Sequence, residues 1–165
     1  MRGSGSQSPR RFGVIIFTLI IALLLNLTPY PDWMENARPD WVTLALFYWC
    51  LALPHRVGVG YGWAVGIILD VLYYSILGQH AIGKAFVALI AVVAHRRMRM
   101  YHLWQQCVIV FFVASADIAC TLWIYHITNQ TPIELVYWTP ALSTALLWPV
   151  IYTVLRFIRQ RIGVS

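Results

Sequence analysis

The apolar positions of this chain form long runs, broken by short polar or proline-containing stretches, rather than the one-sided stripes of helices that face water. Six runs can be drawn, over residues 12–28, 39–53, 57–77, 79–95, 103–127 and 132–155. Runs of this kind, nearly free of charge, predict membrane-spanning helices. Before them, residues 1–11 are polar, Gly/Ser-rich and basic, and are expected to form a disordered cytoplasmic tail; residues 156–165 form a second basic tail. The pattern predicts a single domain of the all-α integral membrane class, a compact bundle of six transmembrane helices.

The runs are unequal. The first resembles a signal-peptide core, but its end, Leu27-Thr28-Pro29-Tyr30-Pro31, offers no small-residue cleavage site, so it is expected to stay as an uncleaved helix. The second, from Trp41 to Leu53, reaches only about 20 Å as a helix against a hydrocarbon core of about 30 Å. It spans only if Pro39 and Asp40 begin the helix and the bilayer or the flanking residues adapt. Thr131-Pro132-Ile133-Glu134 reads as a capping box that starts the sixth helix.

Composition strengthens the membrane reading: 60% of the 165 residues are hydrophobic, 11% are charged and the mean hydropathy is +0.68. Soluble domains carry roughly 25% charged residues. A net charge of +6 invites a nucleic-acid reading, but the arginines sit at the ends of apolar runs, where they set orientation. With the N-terminus inside, Arg2, Arg10, Arg11, Arg56, Arg96, Arg97, Arg99, Arg156, Arg159 and Arg161 all fall on the cytoplasmic side. Only Arg38 falls outside, among Asp32, Glu35, Asp40 and Glu134. A five-helix arrangement lacking the short second run would put Arg96 to Arg99 opposite the C-terminal arginines. Six crossings with both termini cytoplasmic fit the charges better.

Three ionisable residues, Asp70, Lys84 and Asp117, lie well inside apolar runs, where a charge costs roughly 2.5–3.5 kcal/mol unless it is paired or wet. Depths counted from the outer ends of the third and fourth runs match, so an Asp70–Lys84 pair is expected, with Asp117 joining it or bonding to Ser115 or Thr121. Such a cluster serves either as a proton or ligand path or as an ion pair fixing helix register. Gly58, Gly62 and Gly66 share one helix face and permit close approach, inside the bundle or to a partner helix. Cys50, Cys107 and Cys120 read as small core residues, and the histidines as interfacial. No nucleophile elbow, P-loop or metal-ligand spacing is present, so no catalytic residue, metal or cofactor is expected.

Several stretches carry a family resemblance. Arg38-Pro39-Asp40-Trp41-Val42, the run from Tyr48 through Leu53-Pro54-His55-Arg56-Val57 to Gly60, and Gly66-Ile67-Ile68-Leu69-Asp70 are similar to the bacterial rod shape-determining protein MreD family. Trp104-Gln105-Gln106, Asp117, Leu147-Trp148-Pro149 and the basic Arg156 to Arg161 end fit as well, over roughly residues 10–161. Tyr73-Tyr74 departs from the pattern, where a smaller residue or glycine is expected. The resemblance implies a non-enzymatic inner-membrane scaffold that binds the single-span protein MreC and works with the actin-like MreB, RodA and the transpeptidase PBP2 in lateral peptidoglycan synthesis. It also implies a fold like the substrate-binding subunits of energy-coupling-factor transporters, and assigns Gly62, Gly66 and Asp70 to a Gly-rich stretch leading to an aspartate. Membrane lipid is an expected contact, nucleic acid is not, and a homodimer is left open. The competing reading is a small-molecule carrier with a pocket near Asp70, Lys84 and Asp117.

Overall fold

The computed structural model describes residues 8–31, 37–129 and 135–162. Among them are six α-helices and no strand: α1 (Ser8–Leu27), α2 (Trp41–Ala52), α3 (Val59–Leu72), α4 (Gln79–Met98), α5 (Leu103–Asn129) and α6 (Thr139–Ile162). A 3-10 turn, Leu135–Trp138, leads into α6. Helix α1 starts at Ser8, within the stretch read from sequence as a tail. The capping box at Thr131 to Glu134 lies outside the described residues, as do Asp32 and Glu35.

The shortest helix occupies the centre. From Val42 to Leu51 every residue of α2 is buried, because α1, α4 and α6 pack around it. A helix that is apolar on all sides requires such enclosure. Enclosure also removes the length problem posed by its 12 residues, since an element walled in by protein need not match the lipid thickness. Trp49 and Trp148 are fully buried, and the Phe47 ring meets Trp148 edge-on at 5.4 Å between centroids. The remaining helices follow one another as antiparallel neighbours, α3 on α4, α4 on α5 and α5 on α6.

Outward faces are apolar. Phe17 and Leu24 on α1, Phe112 and Trp123 on α5, and Leu146 and Val150 on α6 are all exposed. So much contiguous apolar surface is stable against hydrocarbon and unstable against water. Two stretches, Leu103–Thr128 and Val136–Arg161, are each long and apolar enough to cross a membrane.

Helices α3 and α4 are drawn together by glycine, at two of the three predicted positions. A Cβ on Gly62 would stand 2.9 Å from the Ala88 Cβ, and one on Gly66 would stand 2.7 Å from the Ala81 nitrogen. Gly58 approaches nothing, and caps the start of α3 in extended backbone. The glycine face thus serves packing inside the bundle at Gly62 and Gly66.

Candidate functional site

The expected Asp70–Lys84 pair does not form. The glycine contacts set the register of the α3–α4 hairpin, placing Ala81 beside Gly66 and the Lys84 backbone beside Gly62. Gly62 and Asp70 are two helical turns apart, about 12 Å along the axis. Depth counting does not hold because residues 73–78 are not helical, so Asp70 lies almost at the C-terminal end of α3. The two residues belong to separate polar centres.

Asp70 is a clasp. Its carboxylate accepts backbone N–H bonds from Gly78 (2.8 Å), His80 (2.7 Å) and Ala81 (3.4 Å) and the Ser75 hydroxyl at 3.0 Å. His80 Nδ1 lies 2.9 Å from the same carboxylate. These amides belong to the first turn of α4, whose own N-cap, Gly78, has no side chain and sits at φ 108°. A carboxylate from α3 therefore satisfies the orphan donors and the positive dipole end of α4.

Lys84 stands in the second centre, fully buried, and spends all three ammonium protons on protein. It donates to Asp117 Oδ2 at 2.5 Å, to Thr43 Oγ1 at 2.7 Å and to Asp40 Oδ2. Four helices meet there: Asp40 and Thr43 come from the head of α2, Lys84 from α4 and Asp117 from α5, while α6 contributes Thr144, whose hydroxyl accepts from the Asp40 backbone N–H at 2.9 Å. Helix α1 joins through Asn26, which donates to Asp40 Oδ1 at 3.2 Å and accepts the Trp41 N–H at 2.9 Å. Asp40 also caps α2, accepting from the Thr43 N–H at 3.0 Å.

Two carboxylates face one ammonium, which leaves a surplus acid. Asp117 Oδ1 is buried without a hydrogen-bond partner, pressed against the Gly83 Cα, where any Cβ would collide with it. Among the described residues no group of three His, Cys, Asp or Glu side chains is arranged to hold a metal.

Sequence reasoning singled out Asp70, Lys84 and Asp117 and missed Asp40, Thr43, Asn26, His80 and Gly83. By sequence Asp40 stands among the outside-loop acids and at the start of the 39–53 run; its position directly before Trp41, with Thr43 three residues on, is the N-cap pattern that marks it. Asn26, part of an N-x-T triplet, is buried and bonded within the bundle. Arg38, the exception to the charge asymmetry, donates to the Asn26 carbonyl at the end of α1 and to the Tyr73 hydroxyl at 2.8 Å. Its guanidinium also lies 6.0 Å from the Tyr30 ring centre and 5.9 Å from that of Tyr73. The predicted orientation residues Arg56, Arg96, Arg97, Arg99 and Arg156 are exposed, with Arg159 half-buried.

An apolar exterior around a buried ionic centre, in which Lys84 is fully bonded and Asp117 Oδ1 is left over, defines a helical membrane protein. The family described as rod shape-determining protein MreD matches residues 7–158, and the chain belongs to that family, whose role is in determining rod shape. The Rod shape-determining protein MreD of Haemophilus influenzae is 29% identical over 152 residues, covering 90% of this chain and 91% of that protein. No solved structure matches.

Proposed function

We propose that this chain is a non-catalytic scaffold of the rod-shape machinery in the bacterial inner membrane, crossing six times with both termini cytoplasmic. In this reading it binds an MreC-like single-span protein through helix–helix contact and so supports lateral peptidoglycan synthesis by MreB, RodA and PBP2. The observation that favours a scaffold over a carrier is the closed ionic centre: Lys84 has no free donor, and Trp49 on α2 and Trp148 on α6 are fully buried in the core. The carrier reading needs Asp70, Lys84 and Asp117 to face an open pocket, whereas these side chains bind other groups of the protein. The short connections leave little surface outside the membrane for a partner to grip, which directs partner binding to apolar faces such as those of α1 and α5. The fold of energy-coupling-factor binding subunits stays part of this proposal.

Affinity purification from nanodisc-solubilised membranes tests it. Stoichiometric recovery of a single-span partner supports the scaffold. Recovery of the chain alone with a small molecule, or with ATPase subunits, overturns it in favour of the carrier.

A further inference from the structure

The end of the bundle away from Lys84 holds a cavity of about 720 Å³ that neither polar centre uses. Arg99 at the end of α4 and Arg156 and Arg159 on α6 line it, with Leu51, Met98 and the Tyr48 ring supplying apolar wall. Two features mark it as a ligand site rather than a packing gap. Tyr48 is 2% exposed, yet its hydroxyl has no hydrogen-bond partner, although buried hydroxyls are nearly always bonded. The arginines also lack acidic counterparts: the three carboxylate side chains among the described residues are engaged elsewhere, Asp70 with His80, and Asp40 and Asp117 with Lys84. Arg99 has only long contacts of 3.5 and 3.3 Å to the Leu51 and Ala52 carbonyls at the end of α2.

We infer that this cavity binds the phosphate of an anionic lipid head group, with the arginines neutralising the phosphate and the Tyr48 hydroxyl donating to one of its oxygens. Guanidinium forks match phosphate oxygens, and charge-assisted bonds of this kind are the strong ones. The mixed lining, arginines beside apolar side chains, suits an amphiphile, and the cavity opens where the apolar helices end, the level of lipid head groups. The inference requires the bundle to sit in a membrane and is independent of which protein partner it meets.

Native mass spectrometry and thermal unfolding of the purified full-length chain, with phosphatidylglycerol, phosphatidylcholine or inorganic phosphate added separately, provide the test. Phosphatidylglycerol is expected to be retained and to raise the melting temperature, and phosphatidylcholine is not. Tyr48→Phe removes only the unpartnered hydroxyl and is expected to weaken phosphatidylglycerol binding roughly tenfold without lowering the melting temperature of the lipid-free protein. Arg156→Gln with Arg159→Gln should weaken it at least as much, whereas Arg96→Gln with Arg97→Gln, at the same end but off the cavity, should leave it unchanged. A phosphate effect equal to that of the lipid overturns the lipid assignment in favour of a soluble phosphate ligand. Equal retention of both lipids, or equal loss from the two arginine pairs, overturns the site itself.

Discussion

Lys84 on α4 stands 2.5 Å from Asp117 on α5, and the same ammonium holds Asp40 at the head of α2. Removing the cation strands the buried Asp117 carboxylate and the partly buried Asp40 one, so Lys84→Met is expected to destabilise the bundle by about 3–5 kcal/mol. Unfolding in detergent against a denaturant series measures it. Lys84→Met combined with Asp117→Leu should cost clearly less than the sum of the single changes, since the second substitution removes a charge the first left unpaired. Additive losses would show that the pair is not coupled.

The glycines predict a contrast on one helix. Gly66→Val drives a side chain into the backbone at His80 and Ala81 and is expected to cost about 3 kcal/mol or to block folding. Gly60→Ala, exposed and with nothing within reach of a new Cβ, is expected to stabilise α3 by up to about 1 kcal/mol. Equal effects at both positions would contradict the close α3–α4 approach.

Asp70→Asn keeps the size of the clasp but removes its charge and one acceptor. The loss is expected to be about 1.5–3 kcal/mol, concentrated in faster amide exchange at Gly78, His80 and Ala81. Ser75→Ala, which removes one donor from a carboxylate that keeps its others, should cost less. If exchange in the first turn of α4 is unaltered by Asp70→Asn, the capping role is wrong.

Gln106 ties three places together, donating to the Met98 carbonyl at 3.0 Å and the Tyr101 carbonyl at 3.1 Å while accepting from Trp148 Nε1 at 3.0 Å. Gln106→Leu leaves the buried Trp148 indole N–H without its acceptor and takes a donor from both carbonyls, and is expected to cost about 1–3 kcal/mol. Tryptophan fluorescence, read with Trp148→Phe as reference, should shift as the indole loses its acceptor.

Tyr74 sits at φ 51°, a left-handed conformation that tyrosine adopts at a cost. Tyr74→Gly is therefore expected to leave stability unchanged or raise it by up to about 1 kcal/mol in a thermal melt. The family resemblance implies a smaller residue or glycine at Tyr73-Tyr74, and for Tyr74 the turn geometry supplies a reason.

The apolar runs determined the helices and the membrane setting, because desolvated backbone must bond internally and an apolar surface this large needs hydrocarbon around it. The same pattern located Lys84, Asp70 and Asp117, since a charge inside an apolar run stands out in any reading of the chain. Pairing was decided only in three dimensions. Gly62 and Gly66 set the α3–α4 register that separates Asp70 from Lys84, and the enclosure of α2 brings Asp40 from an apparent loop into the ionic centre. Sequence spacing fixes depth along one helix; which side chains meet depends on rotation and register between helices, and those follow from contacts between residues far apart in the chain.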